Sequence, residues 1–541
     1  MILILGRKGS LIKNKNFVIT KKIGTFACGF IRLTEMKIFT TEQIRAIDRY
    51  TIEQEGVSSM ELIHRVAEGV VSEILARWSP SKPTVIFAGS GNNGADALIV
   101  AKLLIEAGFN PHIMLFNFNG NSLSRDCHAA KMELLSSGLK VELVEVIDRA
   151  EIPYLLPTHL VIDGLFGSGL RDPLTGGFMT LARNISESGA TVISIDVPSG
   201  LFGDWNSRIL ARNVVHAHLT LCVQFPRLSF FLADNDAMVG TWKCLDIGLS
   251  KKAIADTPSK FYYVERKDVA DVLRPRPPFS SKADFGHAII FAGCYGMMGA
   301  ALLAARGALR AGIGKLTLHS ARCGFDIIQS RAPEALFEAD RSDIVIADMT
   351  MRQSYTAIGV GPGIGINDAT QAALETLIKS QKRPMVIDAD ALNILARVPR
   401  LIDHVPPGSV LTPHAGEFDR IFGVQPSAEA RLLKAIEMSH KYRLIIVLKG
   451  HYTATVCPDG LVFFNSTGTP AMATAGAGDV LTGIITGLLG QGYTPQAAAV
   501  AGVYIHGLAG EIAAEQEGSY GTTALDIASS VGRAIRKIMG Q

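Results

Sequence analysis

The sequence predicts an α/β protein built as two three-layer α/β/α domains, and three observations carry that prediction. Short apolar runs alternate with helical patterns through most of the 541 residues, which marks parallel sheets covered on both faces. The alternation fades once, around 246–280, where Lys, Asp, Ser and Pro collect and RPRPP stands at 274–278. Composition agrees: 48% hydrophobic and 19% charged residues with 53 glycines describe a well-filled globular interior. At roughly 150 residues per domain the length suggests two to four domains, and the single break narrows that to two.

The elements follow in order. Residues 1–35 carry seven basic side chains, from Arg7 to Arg32, and one acid, Glu35. They hold +6 of the net +3 and leave −3 for residues 36–541. This basic leader is expected outside both folds, as an upstream translation start rather than an import peptide, because its bases are mostly Lys and lack amphipathic order. A first domain is expected over 36–250. It opens on a helix capped by Thr40 or Thr41 and continues with strands in PTVIFAG (83–89), PHIMLF (111–116), HLVIDGLFG (159–167), ATVISIDVPSG (190–200) and AHLTLCVQF (217–225). Residues 251–280 read as a linker region. A second domain, 260–541, takes strands in HAIIFAG (287–293), KLTLHS (315–320), TAIGVGPG (356–363), PMVIDAD (384–390), SVLTP (409–413), LIIVLKG (444–450) and TATVCPDG (453–460), then helices around 478–490 and 496–516.

Several function classes fall away. A net charge of +3 is too weak for an electrostatic nucleic-acid binder. Seven scattered cysteines without a CxxC pair indicate neither a disulfide framework nor a metal knuckle, and point to a reducing, cytoplasmic setting. The uncharged runs 288–305 and 480–510 are interrupted by Gly293 and Gly296, and by Gly490, Gly492 and Pro495. Such breaks suit buried elements of a soluble fold, so no membrane partner is expected.

In the first half, GSGNNGADALIVAKLL (Gly89–Leu104) sets three glycines and two asparagines between a strand and a helix. Such a turn lets a ligand approach backbone closely and aims free helix N–H groups at an anion. Alone it reads equally as a tight turn; Asp96, an acid at the helix start, favours a site. VIDGLFGSGLRDP (Val161–Pro173) ends a strand on Asp163, and IDVPSG ends the next with Asp196 and Ser199. Open α/β sheets bind ligands at such strand ends. Asn93, Asp163 and Ser199 thus offer oxygens suited to a hard cation.

These three motifs in order, with GVSSMELIHRVA at 56–67, resemble the NAD(P)HX epimerases, the YjeF amino-terminal family, over about residues 37–250. The resemblance implies a Rossmann-like domain that interconverts the R and S hydrates of NAD(P)H. It implies substrate binding by Asn92, Asn93, Gly94, Ala95 and Asp96, by the loop Gly167, Ser168, Gly169, Leu170, Arg171, Asp172 and Pro173, and by Asp196. It further implies a potassium ion held by Asn93, Asp163 and Ser199, with Asp163 as general acid/base. Two positions depart from the family pattern: Ala95 replaces a usual glycine, and Arg227 in QFPRLSF stands where Lys is common. Arginine does not readily release its proton.

In the second half, TAGAGDVLTGIITGLLGQG (Thr474–Gly492) leads small residues into a helix whose first turn holds Asp479. Such an N-terminus can hold a transferring phosphoryl group while the Asp accepts a proton from an attacking hydroxyl. Seen alone, that Asp is more often a cap. LKGHYT (448–453), GVGPGIG (359–365) and TPHAGEF (412–418), with Lys449, Thr453, His414 and Glu417, add strand ends converging on one edge.

The run DFGHAIIFAGCYGMMGAALLAARGALRAGIGKL (284–316) is similar to the ADP/ATP-dependent NAD(P)H-hydrate dehydratases, a branch of the ribokinase-like superfamily, over about residues 260–538. The resemblance implies that Ala301, Gly363 or Gly365, His414 and Asp479 contact the hydrate. It assigns Lys449, Gly450, His451, Tyr452, Thr453 and Gly478 to the adenine nucleotide, with Mg²⁺ accompanying ADP or ATP. The implied chemistry is phosphorylation of the hydrate hydroxyl with Asp479 as base, then loss of phosphate. The whole chain then reads as a metabolite-repair enzyme, epimerase first and dehydratase second, and self-association is expected by analogy with relatives. Two other readings stand beside it. One is a ribokinase-like small-molecule kinase. The other is a binding module, as in scaffolds of mRNA decapping; it predicts loss of the Asn93, Asp163 and Ser199 oxygens, which are all present.

Overall fold

The computed structural model describes residues 36–118, 122–148 and 152–541; the basic leader lies outside the described residues. The first domain is a seven-stranded, wholly parallel sheet. Its order is Glu142–Val146, His112–Phe116, Thr84–Ala88, Leu160–Gly164, Thr191–Ile195, Leu219–Val223, Thr241–Leu245. Side chains alternate across each strand. Ile86 and Ala88 pack under Thr41–Glu55, Ser59–Leu75 and Asn92–Glu106, while Val85 and Phe87 face the opposite cluster with Gly176–Glu187. With both faces covered, the strands read as unbroken apolar runs. Each fully buried aliphatic or Phe side chain contributes about 1.5–3 kcal/mol. The chain leaves the central strand Thr84–Ala88 toward one edge and returns on its other side at Leu160–Gly164. A switch point therefore lies between Asn93 and Asp163.

The second sheet has eleven strands. Around its own switch point, between His287–Phe291 and Ala357–Val360, the strands are parallel, from Leu336–Ala339 at one side to Ile445–Leu448 at the other. Ala454–Val456 and Val462–Asn465 continue it antiparallel. Helix Ala477–Gly490 crosses this sheet in close contact with Met298–Arg310. A Cβ on Gly483 would lie 2.0 Å from the Ala304 carbonyl oxygen, and one on Gly307 would lie 2.3 Å from that of Val480. The glycines in the apolar run are thus contact residues between helices. The following helix, Pro495–Gly521, is long and apolar enough to cross a membrane, but 83% of its apolar window is buried inside the protein.

The linker expectation for 251–280 needs correction. Phe261–Val264 is a strand paired parallel with Val462–Asn465, and Arg266–Val272 is a helix. Their polar residues cap and flank short elements, which composition alone reads as linker. Lys37–Ile38 pairs antiparallel with Phe261–Val264, so the start of the first domain is stitched into the second sheet. Thr40 caps the next helix, with Gln43 completing a capping box. The domains also share an apolar cluster, in which Leu228, Phe231 and Leu232 meet Phe418, Leu432 and Phe464.

Candidate active sites

The first site sits at the switch point. Asn93 stands in the first turn of helix Asn92–Glu106, whose N-cap Gly91 makes no side-chain cap, leaving backbone N–H groups free for a ligand. Close packing requires the glycines here: a Cβ on Gly94 would lie 1.8 Å from the Gly89 carbonyl oxygen. Ala95 adopts no positive φ and buries its methyl in the core, so the departure at that position costs nothing.

Asp163 is 0% exposed. Strand register sets Ser194 opposite it, and the Ser194 hydroxyl donates to Oδ2 at 2.8 Å. Ser199 donates its backbone N–H to Oδ2 at 2.8 Å and its hydroxyl to Oδ1 at 2.5 Å, and Leu165 adds a backbone N–H to Oδ1. Burial pushes the carboxyl pKa up and these bonds oppose it. Among the described residues no lysine, arginine or histidine pairs with it.

Asp196 has a φ of 68°, a left-handed conformation rare outside glycine. Its Oδ2 accepts from the Ser168 N–H at 2.8 Å, which draws in the loop from Gly167. Its Oδ1 accepts from Arg227 Nε and Nη2 at 3.2 and 2.5 Å. Burial acts against the Asp196 charge, yet Arg227 and the Ser168 bonds hold its pKa below the usual carboxylate range. Arg227, 3% exposed, is a fixed cation, and its Nη1 has no hydrogen-bond partner among the described residues. Asn93 Nδ2 is also unpartnered. Two buried polar ends left open at one strand edge mark a place for an oxygen-rich ligand. Asp96 is driven well above its ordinary pKa, first by burial and then by Asp196 and Asp48. Leu170, Arg171, Asp172 and Pro173 form the outer part of the loop, where Arg208 donates to the Arg171 carbonyl at 3.0 Å.

The second site surrounds the N-terminus of helix Ala477–Gly490. Its N-cap, Gly476, has φ 88° and makes no side-chain cap. Asp479, in the first turn, is raised to about 7 by burial and by repulsion from Asp388, with Lys449 opposing. Lys449 Nζ donates to Asp388 Oδ1 at 3.1 Å and lies 3.7 Å from Glu417 Oε2. Burial acts against the Lys449 charge, but Asp388 and Glu417 hold its pKa above the ordinary value. Thr482 donates to the other Asp388 oxygen at 2.6 Å. An isolated parallel bridge sets His414 beside Lys449. His414 caps helix Ala415–Phe422, its Nδ1 accepting from the N–H groups of Gly416 and Glu417, so the ring proton stands on Nε2.

A cavity of about 1150 Å³ opens here, lined by His414, by Lys449, Gly450, His451, Tyr452 and Thr453, and by Gly478. Gly363 and Gly365 take positive φ of 60° and 74°, and the Gly365 N–H donates to Asp390 at 2.9 Å. Ala301 is 0% exposed, beneath Gly293, and offers no open surface. Sequence reasoning missed Asp48, Asp388, Thr482 and His506. Asp388 carried a usable signal, a carboxylate ending an apolar strand, followed here by Ala389 at φ 49°. Asp48 and His506 sit on helices without a motif; burial pushes His506 down to about 4 and Asp48 up to about 6.

Comparison with known proteins follows this division. A model described as YjeF-related protein N-terminus matches residues 59–229, and one described as NAD(P)H-hydrate dehydratase matches residues 288–533. The bifunctional NAD(P)H-hydrate repair enzyme Nnr of Thermofilum pendens is 32% identical over 515 residues, covering 93% of this chain and 97% of that protein. Its counterpart from Coxiella burnetii is 30% identical, covering 91% and 97%. Among solved structures, the ADP/ATP-dependent NAD(P)H-hydrate dehydratase from Bacillus subtilis, co-crystallized with ATP/Mg²⁺, is 31% identical over 51% of this chain and 97% of that one, with a TM-score of 0.45. Since the Thermofilum relative is matched across both domains in the same order, the chain belongs to the family of bifunctional NAD(P)H-hydrate repair enzymes.

Proposed function

We propose that this enzyme repairs hydrated nicotinamide nucleotides at these two sites. The first interconverts the R and S hydrates of NADH or NADPH. The second dehydrates the S form at the expense of ADP or ATP. The observation that carries the reading is Asp479: a carboxyl at about 7, on an uncapped helix N-terminus, beside a cavity edged by Lys449 and Gly478. A base whose pKa lies near neutrality is suited to accept a hydroxyl proton.

At the second site, Lys449 and the turn to Thr453 bind the nucleotide phosphates, and the free N–H groups at Gly478 stabilise the transferred phosphoryl group. Asp479 takes the proton as the hydrate hydroxyl attacks, and its own charge is offset by Lys449. Phosphate then leaves far more easily than hydroxide would. Mg²⁺ would arrive on the nucleotide phosphates, which is how that ion is usually held, with Asp388 and Glu417 nearby.

At the first site, Arg227 and the N–H groups of Asn92–Asp96 bind the substrate's anionic part, and the Gly167–Pro173 loop covers it. Asn93, Asp163 and Ser199 would hold K⁺; a buried carboxylate without a cationic partner fits such an ion. The ion supplies a fixed charge beside the substrate. Asp163 provides the acid/base function through the hydroxyls of Ser194 and Ser199, which touch its oxygens. The cysteines among the described residues are all free thiols, which suits a cytoplasmic enzyme.

Separate R and S hydrates incubated with ADP test the reading, followed by the absorbance of reduced nicotinamide. The S form is expected to recover directly, and the R form only through the first site and faster with potassium. Accumulation of a phosphorylated product without absorbance recovery would instead establish a small-molecule kinase.

A further inference from the structure

We propose that the first domain is a working part of the second domain's nucleotide site, with Trp242 and Phe231 positioning Tyr452 and the turn Lys449–Thr453. This rests on the assignment of that turn to the adenine nucleotide. Trp242 lies on the edge strand Thr241–Leu245 of the first sheet. Its indole N–H donates to the Tyr452 hydroxyl at 3.0 Å, across 210 residues of sequence. Phe231 meets the Tyr452 ring edge-on, with centroids 5.1 Å apart at 81°, and stacks on Phe464 of the second sheet at 4.7 Å and 18°. Tyr263 closes the cluster, 5.4 Å from Phe231 and 5.6 Å from Trp242.

Between its ends the turn has few bonds of its own. Within it, Thr453 Oγ1 accepts from the Gly450 N–H at 3.3 Å and donates to the Gly450 carbonyl at 2.9 Å. Its backbone ends are held within the second domain, where the Lys449 N–H donates to the Pro413 carbonyl at 2.9 Å and the Thr453 carbonyl accepts from the Asn465 N–H at 3.0 Å. Its side chains are held by Asp388 at Lys449 and, from the first domain, by Trp242 at Tyr452. The same cavity is also lined by Phe230, Phe231, Leu232, Ala233 and Asp236, all from the first domain. Two short bonds keep that wall in register: the Asn206 N–H donates to Glu429 at 2.6 Å, and the Ala428 N–H to Asp234 at 2.6 Å. A turn ordered before binding spares the ligand the entropy of ordering it, so the aromatic clamp acts on nucleotide affinity. Chemistry at Asp479 is left untouched.

The test uses the full-length enzyme and steady-state dehydration. Trp242→Phe keeps an aromatic ring and deletes the donor; losing one neutral hydrogen bond is expected to raise the nucleotide KM about two- to tenfold. The turnover number, the KM for the S hydrate and the epimerase rate stay at parent values. Tyr452→Phe is expected to raise the nucleotide KM by the same factor, and the double variant by no more than either single one, because both remove one bond. Phe231→Leu, which leaves that bond but loosens the packing, shifts the same constant. An unchanged nucleotide KM in Trp242→Phe overturns the proposal, as do multiplicative effects in the double variant or a parallel rise in hydrate KM. Lys449→Met separates this from failure of the site assignment: a nucleotide KM unmoved by that substitution means the nucleotide binds elsewhere.

Discussion

Replacing Asp479 with asparagine keeps the shape of the side chain and removes the base, and its consequences follow from the pKa of about 7. A carboxyl of ordinary acidity is ionised throughout the neutral range, and its enzyme shows no acid limb there. A base near 7 is about one-tenth ionised at about pH 6 and about nine-tenths at about pH 8. The sign is fixed: the protonated acid cannot accept the hydroxyl proton, so activity is lost as pH falls through 7. The parent dehydratase is therefore expected to gain roughly tenfold in kcat/KM for the S hydrate between those values. Asp479→Asn is expected to lose roughly 10²–10⁴-fold in kcat and to flatten what activity remains across that range. Stopped or continuous recording of reduced-nicotinamide absorbance measures both. A parent profile flat from about pH 6 to 8, or a variant retaining more than about a tenth of parent turnover, would refute the assignment of Asp479 as base.

Other expectations concern the first site. Asp163→Asn removes the buried carboxylate with little change of volume; the epimerase rate is expected to fall about tenfold or more and to lose its response to potassium. A parent-like rate with potassium dependence intact would remove Asp163 from the mechanism. Asp48, raised to about 6 by burial and by Asp196, with Arg227 opposing, is expected to set an acid limb of the epimerase near that pH. Asp48→Asn should abolish that limb, and its persistence would assign the titration to another group.

Most of the architecture was legible because buried parallel strands must be apolar on both faces and must end in turns. The runs PTVIFAG, HLVIDGLFG and HAIIFAG each contain an observed strand, and Thr40 and the small residues before Asp479 mark true helix starts. The less regular elements were not. Leu336–Ala339, half exposed, shows no apolar run, and Phe261–Val264 hides in a polar stretch because pairing with Val462–Asn465 specifies it. Among site residues, Asn93, Asp163 and Asp479 announce themselves by glycine-rich neighbours. Asp48, Trp242 and His506 lie within regular elements whose local sequence carries no sign of what they face.

By itself, then, the sequence determined two α/β domains, the strand ends where ligands meet backbone, and residues that name a family. Those are local properties: periodicity, turn chemistry and spacing along one segment. Tertiary structure alone decided which charges face each other and therefore which groups titrate near neutrality. Lys449 meets Asp388 across 61 residues, Arg227 meets Asp196 across 31, and Trp242 reaches Tyr452 across 210. The physical reason is that burial and Coulomb interactions depend on distance in space, which folding sets and chain order does not.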